Sequence, residues 1–190
     1  TRGGSTLYFS SNRDGNWEIY STVVKSGEVV NITNTAEDEN KPVLSPDRKW
    51  MVFLIGRDGR SIDVLNLESQ DSPERFPISK GSGRFWSPVW SPDSRQIAFA
   101  GKKSGEEFAF VHITGLDSRS PARLSTVKVT QVGDWSPDGD SVVFSSVIGD
   151  SEGIHVRNPE GLQLGALVPF QGTGSAPAGR DIEGGHERER

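Results

Sequence analysis

The phrase SPDRKWMVF at Ser45–Phe53 returns as SPDSRQIAF at Ser91–Phe99 and as SPDGDSVVF at Ser136–Phe144. Ser45 and Ser91 stand 46 residues apart, Ser91 and Ser136 45 apart. A fixed period of that length marks a repeat architecture, and four-stranded propeller blades fall in this range. Each phrase reads as a turn followed by a strand. Pro presets φ at the second position of a type I turn, Ser or Asp bonds the backbone, and Gly139 suits the fourth position. The residues that follow, Trp50–Ile55, Gln96–Ala100 and Ser141–Val147, have the β-branched and aromatic content of sheet. A half-copy lies 44 residues upstream, where Thr6-Leu7-Tyr8-Phe9 matches the strand after each turn.

Outward from the phrase, the rest of a blade follows. A short strand precedes each turn at Pro42-Val43-Leu44, Pro88-Val89-Trp90 and Gly133-Asp134-Trp135. Asp-Gly pairs at Asp14-Gly15 and Asp58-Gly59 supply the positive φ of tight hairpins. Third strands are predicted at Trp17–Val24, Ile62–Leu67, Phe108–Ile113 and Ile154–Arg157. Fourth strands end near Ile32-Thr33, Ile78-Ser79 and Leu124-Ser125, with Leu164–Phe170 serving in the last copy. No stretch carries helical periodicity or caps. The chain is expected to be all-β, a propeller of about four blades at 1–33, 34–79, 80–125 and 126–170, the first lacking its innermost strand. The remaining 171–190 holds one large aliphatic residue, Ile182, among Gly, Ala and charges, and reads as a tail or linker.

The net charge of −5 over 190 residues, with basic residues scattered among acids, argues against nucleic acid as a partner. There is no cysteine, so neither disulfides nor thiolate chemistry arise. No apolar run has the length of a membrane span, and direct membrane insertion is not expected.

The SNRDGNWEIY run at Ser11–Tyr20, the P-x-W-S-P-D run at Pro88–Asp93 and the Leu/Ile-Ser/Thr pairs closing the first three blades resemble the TolB-like propeller repeat, a relative of WD-repeat blades. The resemblance implies radially arranged blades with the strand before SPD innermost. It also implies a bacterial, extracytoplasmic protein (periplasm or cell surface) acting through protein contacts. A complete TolB carries six blades behind a smaller α/β domain, so the expectation here is a partial array. Further blades, a companion chain or an oligomer would then complete the ring, because an open arc leaves blade faces exposed.

Trp90 and Trp135 hold equivalent positions, taken by Leu44 one blade earlier, and read as packing between blades. Pro46, Asp47, Pro92, Asp93, Pro137 and Asp138 read as turn formers recurring from blade to blade. Arg84, Phe85 and Trp86 are read as the loop entering an innermost strand. They share a face with Glu37, Asp38 and Glu39, and with Arg13, Arg57, Lys102, Lys103, Glu106 and Glu107. A Trp and Arg ringed by mixed charge have the composition of a protein-binding surface. Glu37-Asp38-Glu39-Asn40 lacks the oxygen spacing of an EF-hand loop. The predicted strand starts put His112 at an even offset and His155 at an odd one, hence on opposite faces, and a site using all three histidines would have to recruit His186. No Gly-x-Ser-x-Gly elbow is present. No catalytic, metal or cofactor residues are assigned. The leading expectation is a noncatalytic interaction scaffold. The alternatives are the propeller portion of a multidomain hydrolase of the prolyl-peptidase kind, or a sensor ectodomain.

Overall fold

The computed structural model describes residues 5–68, 74–79, 82–148, 151–159 and 163–169. These form four antiparallel sheets and no helix. The first sheet has three strands, β1 (Thr6–Ser11), β2 (Glu18–Val23) and β3 (Val29–Asn31). The second joins β4 (Glu39–Leu44), β5 (Trp50–Ile55), β6 (Ser61–Asn66) and β7 (Arg75–Pro77). The third joins β8 (Gly83–Trp90), β9 (Gln96–Lys103), β10 (Phe110–Gly115) and β11 (Ala122–Arg123). The fourth joins β12 (Val129–Trp135), β13 (Val142–Ile148), β14 (Ser151–Arg157) and β15 (Gln163–Pro169). Every sheet is a meander of chain neighbours, which is the construction of a propeller blade. The segment 171–190 lies outside the described residues.

Two small hydroxyl side chains recur along the blades, one in the turn of the last three and one closing the first three. In the turn, Ser45 accepts a hydrogen bond from the Trp50 N–H at 3.0 Å, and its own hydroxyl reaches Asp47 at 2.5 Å. Ser91 repeats this with Gln96 and Asp93, and Ser136 with Ser141 and Asp138. The Asp carboxylate also accepts the N–H two residues on, from Lys49, Arg95 and Asp140. These bonds, the Ser hydroxyl first, hold the carboxyls of Asp93 and Asp138 below the usual range. Arg48, Ser94 and Gly139 close the turn with φ of 65°, 64° and 81°. Only glycine adopts that left-handed region without strain. The second hydroxyl ends the blade. Thr33, Ser79 and Ser125 accept the N–H of Ile19, Ile62 and Val111, each at 2.9 Å. The recurring Leu/Ile-Ser/Thr pair therefore satisfies a third-strand donor that no fourth-strand carbonyl reaches.

Apolar layers lie between consecutive blades. Ile19, Met51, Phe53 and Leu65 fill the first boundary, Val64, Phe76, Phe85 and Phe99 the second, and Ala100, Val111, Val132 and Phe144 the third. The innermost strands contact one another in chain order. Trp90 donates its indole N–H to the Val43 carbonyl at 3.0 Å, and Trp135 does the same to Val89 at 3.3 Å. Both are 6% exposed. Each tryptophan thus fills a boundary and satisfies its own polar atom on the preceding blade.

One sequence expectation is corrected. His112 and His155 occupy the same register, opposite Phe99 and Phe144. The third strands start at Phe110 and Ser151 rather than Phe108 and Ile154, which makes both offsets even. Each imidazole stacks on its own phenylalanine, at ring separations of 5.5 and 5.6 Å. Burial pushes both below the ordinary histidine range.

Candidate protein-interaction surface

Arg84, Phe85 and Trp86 are strand residues of β8 rather than a loop. Strand alternation then separates their side chains. Arg84 is exposed, Trp86 is half-buried, and Phe85 is 1% exposed. The Phe85 ring lies over Gly101, where an added Cβ would meet it at 2.6 Å. Phe85 is therefore core and is unavailable to a partner. Its backbone N–H donates to the Gly59 carbonyl at 2.7 Å, tying the Arg57-Asp58-Gly59 hairpin of the second blade to the third.

Beside this tie a cleft of about 420 Å³ opens between the two blades. Lys41, Arg57, Asp58, Arg84, Trp86 and Lys102 line it. The Lys41 backbone (φ 54°) and Ser87 backbone (φ 50°) are left-handed, and both sit at register shifts of β4 and β8. Such bulges twist a strand and re-aim its side chains. The Trp86 indole N–H donates to the Thr130 carbonyl at 2.8 Å, which anchors the ring at the edge of the fourth blade. Arg57 is engaged by Asp38 at 2.9 Å. Lys41, Arg84 and Lys102 have no ion-pair partner among the described residues.

The acidic run divides by depth. Glu37 is exposed and pairs with Arg60. Asp38 is half-exposed, and the Trp17 N–H followed by Arg57 holds its carboxyl below the usual range. Glu39 is 0% exposed, which removes it from the surface expected of it. The Thr35 hydroxyl donates to its Oε1 at 2.6 Å and Arg75 at 3.0 Å, while its Oε2 is unpartnered. Burial raises its carboxyl above the usual range. Arg75 also grips Asp63 at 2.8 Å. Arg75 lies 36 residues beyond Glu39, so sequence proximity carried no signal of this clamp.

The acidic groove holding Glu37 and Asp38 shares Arg57 and Asp58 with the basic cleft. Of the six residues singled out, Arg84 and Trp86 line the cleft, Glu37 and Asp38 line the neighbouring groove, and Phe85 and Glu39 are buried. Lys41 was missed by sequence reasoning; its place two residues upstream of Val43 in an innermost strand was the available signal. Among the described residues no cluster of three His, Cys, Asp or Glu has metal-binding geometry, and no helix is long and apolar enough to cross a membrane.

No family model matches the chain. A TolB homolog from Chlorobium luteolum is 26% identical over 144 residues, covering 75% of this chain and 32% of its own length. The chain thus spans about a third of the length of that curated relative. The solved structure of TolB from Acinetobacter baumannii shares the fold, with a TM-score of 0.64 and 23% identity over 85% of this chain and 40% of that one. A prolyl endopeptidase structure is similar at a TM-score of 0.59 and 14% identity, over 82% of this chain and 27% of that one.

Proposed function

Because these are TolB-like β-propeller blades, we propose that the chain is a noncatalytic protein-interaction module of an extracytoplasmic bacterial protein, binding through the cleft around Trp86. One observation carries this reading. In a chain of net charge −5, three unpaired cations converge on a half-buried tryptophan at a blade boundary. Coulomb attraction there selects carboxylates, and the indole face takes an apolar or aromatic side chain. The partner is accordingly an acidic protein segment carrying at least one apolar anchor. The extracytoplasmic compartment rests on the family resemblance.

The test is selection from a random peptide display library against the chain and against Arg84→Glu, Lys102→Glu and Trp86→Ala variants. The expected result is enrichment of Asp/Glu-rich peptides with an aromatic or aliphatic residue, lost in all three variants while the urea midpoints of Arg84→Glu and Lys102→Glu stay close to the parent. Lys102→Glu removes no packing and serves as the charge-only control. Unselective binding, or selection indifferent to these substitutions, would refute the reading. The likeness to a prolyl endopeptidase supports a second one, in which these blades cover a hydrolase domain. Peptide hydrolysis by the whole protein in which they occur would favour it.

A further inference from the structure

Glu39 stands where Phe85 stands one blade later, at the same distance before the last residue of the innermost strand. Phe85 is 1% exposed and Glu39 is 0% exposed. A carboxylate in a phenylalanine's place is costly unless hydrogen-bond donors replace the water it loses. The Glu39 N–H donates to the Trp17 carbonyl at 2.7 Å, so the first and second blades meet at this residue.

Three buried acids share one guanidinium here. Glu18 from β2 is 2% exposed and Asp63 from β6 is 8% exposed, while Arg75 from β7 serves Glu39 and Asp63. Glu37, from the segment between β3 and β4, lies 3.7 Å from Arg75 but is exposed and paired with Arg60. Asp38 is taken by the Trp17 N–H and Arg57, and β5 sets Ile55 opposite Glu39.

Their donors tell the three acids apart. Glu18 receives the Thr35 N–H at 2.8 Å, the Asn16 amide at 3.1 Å and the Thr33 hydroxyl, which serves both its oxygens. Asp63 receives Arg75 at 2.8 Å on Oδ2 and the Ser61 hydroxyl at 3.2 Å on Oδ1. Glu39 has the Thr35 hydroxyl and Arg75 on Oε1, and its Oε2 is unpartnered. Thr35 thus holds both glutamates, Glu18 by its amide and Glu39 by its hydroxyl. The two carboxyls come within hydrogen-bond reach of each other. Carboxyls so close in a buried site do not both ionise readily, and the one with fewer donors keeps the proton.

We propose that Glu39 is a neutral acid in the folded chain at neutral pH, donating its Oε2–H to Glu18, and that this shared proton latches the first blade to the second. The proton turns the one unpartnered oxygen into a donor. Its loss sets two facing negative charges across the boundary, so the latch opens on the alkaline side. An unfolded glutamate ionises near pH 4.3. The folded carboxyl keeps its proton to higher pH, so the latch's contribution to stability is whole below that value. It declines as pH rises, until the folded carboxyl is ionised too. The inference does not depend on the Trp86 cleft.

The test uses the 190-residue chain and two variants. Glu39→Gln puts an amide N–H where the acid holds its proton and keeps the Oε1 acceptor, which imitates the latched form at every pH. The side-chain carboxyl carbon of Glu39, identified by its disappearance in Glu39→Gln, is followed by NMR. At neutral pH it should show the shift of a protonated acid and move to that of a carboxylate only at higher pH. From about pH 5 to about pH 9, the parent's urea midpoint should fall increasingly below that of Glu39→Gln. Glu18→Gln removes the facing charge and should lower the pH at which Glu39 ionises. A carboxylate shift at neutral pH, or a constant gap between the two midpoints, would overturn the proposal. An unchanged Glu39 titration in Glu18→Gln would do so as well, since burial alone would then hold the proton.

Discussion

Gly59 and Gly105 both adopt positive φ, at 73° and 86°, yet they do different work. A Cβ on Gly59 would lie 2.1 Å from the Phe85 carbonyl oxygen, backbone that cannot swing away, whereas Gly105 faces open space. Gly105→Ala should cost only the backbone strain of about 1 kcal/mol. Gly59→Ala should cost at least about 3 kcal/mol, by adding a clash to that strain and breaking the tie between the second and third blades. Urea midpoints of the two variants make the comparison. Titration gives a second residue-scale expectation. His112 and His155 are held below the ordinary imidazole range by burial, so the unfolded chain takes up protons near pH 6.5 before the folded one does. Stability from these rings is complete above that pH and falls as pH drops below it. Glu39 acts oppositely, since burial raises its carboxyl and acidification there favours the folded state. His112→Phe, which keeps the stack on Phe99, should therefore flatten the acid-side fall in urea midpoint. An unchanged slope would assign that fall to other groups.

At the scale of the strand, equivalent positions differ because their neighbours differ. Leu7→Ser should change the urea midpoint by no more than about 0.5 kcal/mol, as for an exposed site. Ile97→Ser, at the same repeat position, should cost at least about 3 kcal/mol through a cavity and a buried hydroxyl. The contrast also shows what the sequence made legible. The Ser-Pro-Asp turn could be read directly, because its hydrogen bonds lie within five residues of one serine. The Trp90 and Trp135 positions were legible through their repetition. What escaped depended on distant partners. Phe85 turns inward because the ladder with β9 extends β8 back to Gly83, and Glu39 is buried where Arg75 meets it from a later strand. The histidine register was lost to a shift of a few residues in strand starts, and side-chain facing alternates with every residue.

The described residues form a stack of blades cemented by apolar layers. The basic cleft around Trp86 is the surface proposed to take an acidic protein segment. The buried polar groups serve the fold: the histidines stack on phenylalanines, the turn aspartates hold backbone N–H groups, and Glu39 pairs with Arg75 inside the second blade. The account's central claim is that binding energy is concentrated at the cleft. The most direct measurement is calorimetric titration of a display-selected acidic peptide into the parent chain and into the Trp86→Ala, Lys102→Glu and Leu7→Lys variants. The account predicts that the two cleft variants lose at least about 2 kcal/mol of binding, roughly thirtyfold, while Leu7→Lys binds as the parent does. Undiminished binding by Trp86→Ala and Lys102→Glu would contradict it.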